Sequence, residues 1–214
     1  HITGYLDADN FKVAGAQGSD GQVLTSTGSG AAWEALPSGG ATFKTFGTSS
    51  IMVGDNATGT INAADSNTGL GIDIFAALTT GDDNIAVGFS ALKALTTGSS
   101  NTAVGTNALL SNTTGGRNVA VGRMALKSNT EGDFNTALGR DALLNNTTAD
   151  SNTGVGYGVL YNNTTGTANT AVGYQSLDAV TTANNNTAVG FNALTGNTSG
   201  AGNTGIGKGA GYRI

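Results

Sequence analysis

A 17-residue repeat is the feature of this sequence that most constrains its fold. The pattern Asn-x-(Ala/Gly)-(Val/Leu/Ile)-Gly recurs without a gap, and its first residues are Asn67, Asn84, Asn101, Asn118, Asn135, Asn152, Asn169, Asn186 and Asn203. Eight complete units and a partial ninth result, and residues 50–66 form a degenerate unit before them. A fixed period is the signature of a repeat architecture, in which each unit buries its apolar face against its neighbours.

We number the positions of a unit from 1 to 17, starting at the asparagine, with residues 101–117 (NTAVGTNALLSNTTGGR) as the typical unit. Asn at position 1 and Gly at position 5 are invariant, position 4 is always a branched apolar residue, and position 13 is Thr in every complete unit. Position 9 is Leu in all complete units but one, while positions 16 and 17 vary freely. This contrast predicts stacked coils, because equivalent positions then lie above one another and only exposed corners can differ.

The unit composition predicts strands and not helices. Gly, Asn and Thr at this density disfavour helix, whereas Gly and Asn supply tight corners with positive φ. We therefore expect two short strands per coil, at 102–105 and 108–111, with turns near 106–107 and 112–117. The fold class predicted is all-β, a β-solenoid or β-roll in which the position-1 asparagines stack as a structural ladder. At about 4.8 Å per strand, nine coils rise roughly 40 Å.

Composition excludes several classes of function. There is no cysteine, and the only histidine is His1, so thiolate sites, His-based triads and most zinc sites are ruled out. The net charge of −5 argues against a nucleic-acid surface, and no apolar run is long enough to insert in a membrane. We expect no enzyme, no cofactor and no metal, although a pair of carboxylates acting as a glycosidase stays open. Because the chain begins with His1, we expect a processed or truncated piece.

One argument favours self-association. Within a predicted strand, Ala103 and Gly105 share one face while Thr102 and Val104 share the other, and both faces are small or apolar. A thin coil encloses only one interior, so either the valine or the leucine ladder is left to be covered by other copies of the chain. The alternative is a wider monomeric coil that takes in both ladders.

Two surface columns could bind ligands. Position 6 reads Arg123, Arg140, Tyr157, Tyr174 and Phe191 in successive coils, which would form a stripe for a glycan or a partner, or simply pack over a corner. The threonine columns could contact ice, or could satisfy turn backbone. Asn-x-Thr sites such as Asn112-Thr113-Thr114 are formal glycosylation acceptors, which we interpret as structural.

The NTAVG units resemble the head repeats of trimeric autotransporter adhesins, in which an Asn-Ser-Val-Ala-Ile-Gly type of motif builds a left-handed β-roll within a trimer. The unit here is longer, so the resemblance is to the strand motif and not to the whole coil. The form NTAVGxxAL…NTTG is similar to repeats of phage tail-fibre proteins. The resemblance covers about residues 50–214 and implies a left-handed roll in a homotrimer.

A second stretch, residues 18–33 (GSDGQVLTSTGSGAAW), resembles an element that recurs in phage tail fibres. We interpret Gln22–Thr25 as a strand, 27–30 as a turn and Trp33 as an apolar anchor. The predicted organisation is an N-terminal β-rich module at 1–48 and a β-roll shaft at 49–214. The expected function is the shaft of a phage tail fibre, on the virion or otherwise outside a cell, with host-receptor contact. The alternatives are a bacterial surface adhesin, a self-assembling extracellular filament, or a glycan- or ice-binding solenoid.

Overall fold

The structure is a computed structural model that describes residues 64–211, together with the backbone of six short strands between residues 12 and 54. The chain divides into two compact units, His1–Thr42 and Phe43–Ile214. The boundary predicted between 48 and 49 lies outside the described residues.

The first unit contains two antiparallel strand pairs. Strand β1 (Lys12–Val13) pairs with β2 (Ala16–Gln17), and β3 (Gln22–Ser26) pairs with β4 (Ala31–Ala35), with Leu24 opposite Trp33. The strand predicted at Gln22–Thr25 is therefore present. The turn predicted at 27–30 lies outside the described residues.

The second unit is built on one sheet in which eleven strands follow chain order. The strands are β5 (Thr42–Lys44), β6 (Ile51–Gly54), β7 (Thr68–Leu70), β8 (Ile85–Val87), β9 (Thr102–Val104), β10 (Val119–Val121), β11 (Thr136–Leu138), β12 (Thr153–Val155), β13 (Thr170–Val172), β14 (Thr187–Val189) and β15 (Thr204–Ile206). From β6 onward every pair is parallel with a constant offset, as in Val119↔Thr136. Nine parallel strands, β7 to β15, thus stack as a β-solenoid with about 17 residues per coil, which confirms the predicted fold class at that level.

The degenerate unit at 50–66 also contributes a strand. Strand β6 pairs in parallel with β7, and Ile51, Met52 and Val53 lie beside Thr68, Gly69 and Leu70. These partners are one repeat apart, as in the later coils. The stack therefore extends at least one strand before Asn67.

Each coil has one strand where we predicted two. Residues 102–104 form β9, but the second segment, 108–111, is a turn. Its central residue, Leu109, has φ of 49°, and the left-handed region is incompatible with an extended strand. The same holds at position 9 of the other complete coils, so the leucine column turns a corner and does not pair as a ladder of strands.

The core of the solenoid is a thin column of side chains from a few positions of each coil. Small residues at position 3 and apolar residues at positions 8 and 9 are fully buried in most coils, for example Ala120, Ala125 and Leu126. Within the strand the middle residue is buried and its neighbours are not, because alternate residues face opposite sides. The leucine ladder therefore fills the interior, and the branched apolar residues of position 4 point outward.

The glycine at position 5 permits the close stacking of coils. At Gly122 the φ angle is +135°, and a Cβ built there would lie 2.5 Å from the carbonyl oxygen of Gly139 in the next coil. Residues with a side chain rarely adopt this backbone conformation, and a Cβ cannot lie so close to a carbonyl oxygen. At Gly207, in the last described coil, φ is +115° but nothing lies within 4 Å of the same point. The invariant glycine thus meets two requirements: it adopts a positive φ, and it leaves room for the backbone of the neighbouring coil.

Candidate functional site

The asparagines at position 1 form a continuous hydrogen-bonded ladder along the core. Each described one from Asn84 to Asn203 donates its backbone N–H to the Oδ1 of the asparagine one coil earlier, as Asn118 does to Asn101 at 3.0 Å. The Asn118 Nδ2 donates to the carbonyl oxygen of Gly132 at 2.8 Å. Asn118 is fully buried, so its amide replaces water for two backbone groups that the coil cannot pair internally. The predicted column is thus structural, because its side chains form the hydrogen bonds that buried backbone groups would otherwise lack.

A second asparagine ladder runs at position 12, and sequence analysis missed it. The Nδ2 of Asn129 donates to the Oδ1 of Asn112 at 2.8 Å and to the carbonyl oxygen of Gly132 at 3.0 Å. Asn112 is 0% exposed, so the formal glycosylation acceptor at this site is closed to modification in the folded chain. The recurrence of Asn-Thr at positions 12 and 13 was the signal that could have revealed it.

The second ladder is interrupted at one coil. Asn163 donates to Asn146 at 3.0 Å, but the next residue in the column is Val180. Valine has no donor, and the Oδ1 of Asn163 is buried with no hydrogen-bond partner. An unpaired buried acceptor costs about 1–3 kcal/mol, so this coil is a weak point of the stack.

Replacing Val180 by Asn should close the gap at little net cost. The new Nδ2 would donate to the Asn163 Oδ1. The Asn197 Nδ2, which now donates to the Asn186 Oδ1 at 3.2 Å, would have to turn from that acceptor to the new Oδ1, so the net gain is one hydrogen bond. We expect the free energy of unfolding of Val180→Asn to lie within about 1 kcal/mol of the wild-type value, because the gained hydrogen bonding offsets the lost burial of two methyl groups. The control is Leu78→Asn at the same position, where Leu95 offers no donor, and we expect a loss of about 3 kcal/mol or more. Urea unfolding followed by circular dichroism measures both, and similar losses would contradict the ladder account.

Hydrogen bonds also explain the threonines and part of the variable corner. At position 13 the threonine hydroxyl donates to the carbonyl oxygen of the same position one coil later, as Thr113 does to Thr130 at 3.0 Å. At position 16 a side-chain oxygen accepts from backbone N–H of the preceding coil, as in Gly116 N–H to Asp133 Oδ1 at 2.6 Å. The position-13 hydroxyls therefore donate to backbone carbonyl oxygens of the next coil, as expected if these threonines satisfy turn backbone. Position 16 is less free than its sequence variation indicated.

The aromatic residues of position 6 form a continuous stack. The ring centroids of Tyr157 and Tyr174 lie 5.3 Å apart with an interplanar angle of 15°, and those of Tyr174 and Phe191 lie 5.0 Å apart at 9°. A cation covers each end, with the Arg140 Cζ 5.6 Å from the Tyr157 centroid and the Lys208 Nζ 5.8 Å from that of Phe191. Both separations are in the range of cation–π attraction.

This arrangement bears on the predicted glycan stripe. A sugar ring stacks on an aromatic face, but each face in this column already contacts another ring or a cation. The rings are still about half exposed, so it is their edges that meet solvent. Arg123 lies one coil before Arg140 in the column, is exposed, and has no ion pair among the described residues. The structure thus brings four of the five predicted stripe residues into one stack.

Charged groups elsewhere pair locally. The Lys93 Nζ lies 2.9 Å from the Asp73 Oδ2, and the Arg140 Nε lies 3.1 Å from the Asp141 Oδ2. Burial raises the pKa of Asp178, although hydrogen bonds from its own backbone and that of Ala179 act in the opposite direction. Within residues 64–211, no three His, Cys, Asp or Glu side chains are grouped in a way that could hold a metal ion.

The part of the chain that the structure describes holds no helix long and apolar enough to cross a membrane.

The comparisons with known proteins add no relative. No protein-family model matches the sequence, no curated protein matches it, and no solved structure matches the fold at a significant level.

Proposed function

We propose that this chain is the structural shaft of a fibre, of the kind found in phage tail fibres, that acts outside the cell or on the virion as a homotrimer without catalysing a reaction. The observation that supports the proposal most is the unbroken parallel stack from β6 to β15, in which each coil hydrogen-bonds to the next. A stack of this kind gives reach and rigidity. The resemblance of the NTAVG repeats to fibre proteins supports the same reading.

The bonding between coils explains why such a shaft resists bending and proteolysis. Between the coils that begin at Asn101 and Asn118, backbone bonds run along the strand, as in Thr102 N–H to the Asn118 carbonyl oxygen at 2.8 Å. They also run along the turn, as in Leu109 N–H to Ala125 at 3.1 Å. Two asparagine ladders add further bonds across the same interface. Local opening of one coil would break many of these bonds together, so a protease finds little exposed backbone.

The mass and shape of the particle in solution test the proposal. We expect analytical ultracentrifugation of the chain to give three times its mass of 21.0 kDa, and electron microscopy to show rods. A stable 21.0 kDa monomer at micromolar concentration would overturn the trimeric shaft. A trimer that is compact and not rod-shaped would contradict the shaft function while leaving self-association intact.

A further inference from the structure

The exposed large hydrophobic residues of the solenoid are not scattered. Of the thirteen in the described residues, eleven lie at positions 2, 4 and 6 of their coils, and only Phe134 and Tyr161 lie elsewhere. The eleven are Ile85 and Val119 at position 2, Leu70, Leu138, Val189 and Ile206 at position 4, and Ile72, Phe89, Tyr157, Tyr174 and Phe191 at position 6. Position 4 is Leu, Val or Ile in all nine coils, whereas position 2 is Thr in seven of them. We call the outward-facing columns 2, 4 and 6 together the apolar side.

The same side is nearly free of charge. In the described coils no Asp, Glu, Lys or Arg occupies any of positions 1 to 5. Position 6 carries three cations, of which Arg140 and Lys208 lie against aromatic rings. The other columns that face solvent, such as positions 10, 16 and 17, carry the acids and most of the remaining bases. Solvated faces normally carry the charges of a soluble protein, so the apolar side departs from what a permanently exposed face shows.

We infer that the apolar side is the surface on which copies of this chain meet, in parallel and in register, about the axis of the fibre. The inference rests on the proposed function, since it assigns the interface of the oligomer proposed there. It places columns 2, 4 and 6 of one copy against the same columns of its neighbours.

The repeat itself indicates that the partner is another copy. Side chains on the apolar side recur once per coil, at the strand spacing of about 4.8 Å. A surface that fits this pattern over the whole stack must present ridges and grooves with the same period, and a second copy of the chain does. A partner without that period would match only a coil or two.

The size of the apolar side is consistent with a homo-oligomer. Nine coils extend roughly 40 Å along the axis, and positions 2 to 6 span about 13 Å across it, which is roughly 500 Å² in projection. Side-chain relief makes the accessible area larger, and a standard interface buries about 800 Å² per partner. Cyclic symmetry relates all copies by rotation about one axis, so each coil lies at the height of the same coil in its neighbours.

Adding a charge to the apolar side should separate the copies without unfolding them. Leu138 is 46% exposed in the single chain, so Leu138→Lys leaves the coil intact but puts a cation in the proposed contact. We expect ultracentrifugation to show a monomer of 21.0 kDa with unchanged circular dichroism. The matched control is Thr148→Lys, an exposed residue at position 14, outside columns 2, 4 and 6, which should leave the oligomer as it is.

Cysteine cross-linking tests the register, because the chain has no cysteine of its own. Val87→Cys and Val189→Cys lie at position 4 near opposite ends of the stack. We expect each variant alone to cross-link between copies with a short bifunctional thiol reagent, while Thr148→Cys does not. Cross-linking of Val87→Cys to Val189→Cys in a mixture, and of neither alone, would show antiparallel copies and overturn the inference.

The outcomes separate the two proposals. If the wild type is an oligomer but Leu138→Lys leaves its mass unchanged, the interface assigned here is wrong and the proposed trimeric shaft stands. If the wild type is a monomer at every concentration, both fail. Dissociation by Leu138→Lys and by Thr148→Lys alike would also overturn the assignment, since it would show a general effect of charge.

Discussion

Gly122→Ala is expected to abolish folding of the stack or to destabilise it by more than about 4 kcal/mol, since backbone strain and overpacking act at the same residue. Two costs combine at this residue. The φ angle of +135° is strained for any residue with a side chain, at about 1–3 kcal/mol. The added Cβ would lie 2.5 Å from the Gly139 carbonyl oxygen, so the next coil must move away and its bonds to this coil must stretch. Urea unfolding and the far-ultraviolet spectrum at a fixed protein concentration measure the effect.

The same substitution in the last described coil isolates the part due to stacking. Gly207 has φ of +115° and nothing within 4 Å of a Cβ, so Gly207→Ala should carry only the backbone cost. We expect Gly207→Ala to remain folded with a loss of about 1–3 kcal/mol. If both variants lose the same stability, the close approach between coils is not what fixes glycine at position 5.

Asn118→Asp is expected to make stability strongly dependent on pH. The two side chains have the same shape, but the buried carboxylate would face the Gly132 carbonyl oxygen that now accepts from the Asn118 Nδ2 at 2.8 Å. Burial and this carbonyl raise the pKa of the new carboxyl group in the folded chain above its unfolded value of about 3.9, while the Asn135 N–H and Nδ2 that donate to the side-chain oxygen of residue 118 act in the opposite direction. We expect the full burial of this residue to dominate. Below that value the protonated acid can still donate to Gly132, so the variant should resemble the wild type.

As the pH rises from 3.9 toward the raised folded pKa, the unfolded state loses its proton first and the variant loses stability. With a folded pKa at or above 7, the loss reaches about 4 kcal/mol at pH 7. Free energies of unfolding of variant and wild type at pH 4 and pH 7 give the comparison. Asn185→Asp, an exposed residue next to the ladder, should show no such difference; an equal pH effect in this control would refute the buried-ladder explanation.

Much of the fold could be predicted because the repeat determines the stacking. Asparagines that recur at one constant interval from Asn67 to Asn203 are compatible with few architectures. The strands pair in parallel because every coil runs in the same direction as the one before it. The second strand could not be predicted in the same way. Ala108, Leu109 and Leu110 have the pattern of a short apolar strand. Leu109 instead adopts a left-handed conformation, which steric clashes disfavour for leucine and which the sequence therefore does not indicate.

The surface was harder to predict than the core. Sequence alone left open whether the valine or the leucine ladder is buried, because both are apolar. The valines lie in the strand and the leucines in the turn, and the path of the chain around the coil decides which column faces inward. The residues of position 6 do form a column, but the sequence left open whether their ring faces are free for a ligand, and those of Tyr174 are covered by Tyr157 and Phe191. Ligand contact depends on such side-chain orientation, which no residue pattern specifies.

The constant offset between neighbouring strands also makes length a free variable of this architecture. A duplicated or deleted 17-residue segment leaves the strand pairing and the position-1 asparagine ladder with the same kind of neighbour, since Thr136 pairs with Thr153 just as Thr153 pairs with Thr170. Each such event changes the height of the stack by about 4.8 Å without redesigning a core. Evolution could therefore lengthen or shorten this protein by one coil at a time, through unequal recombination within its own gene.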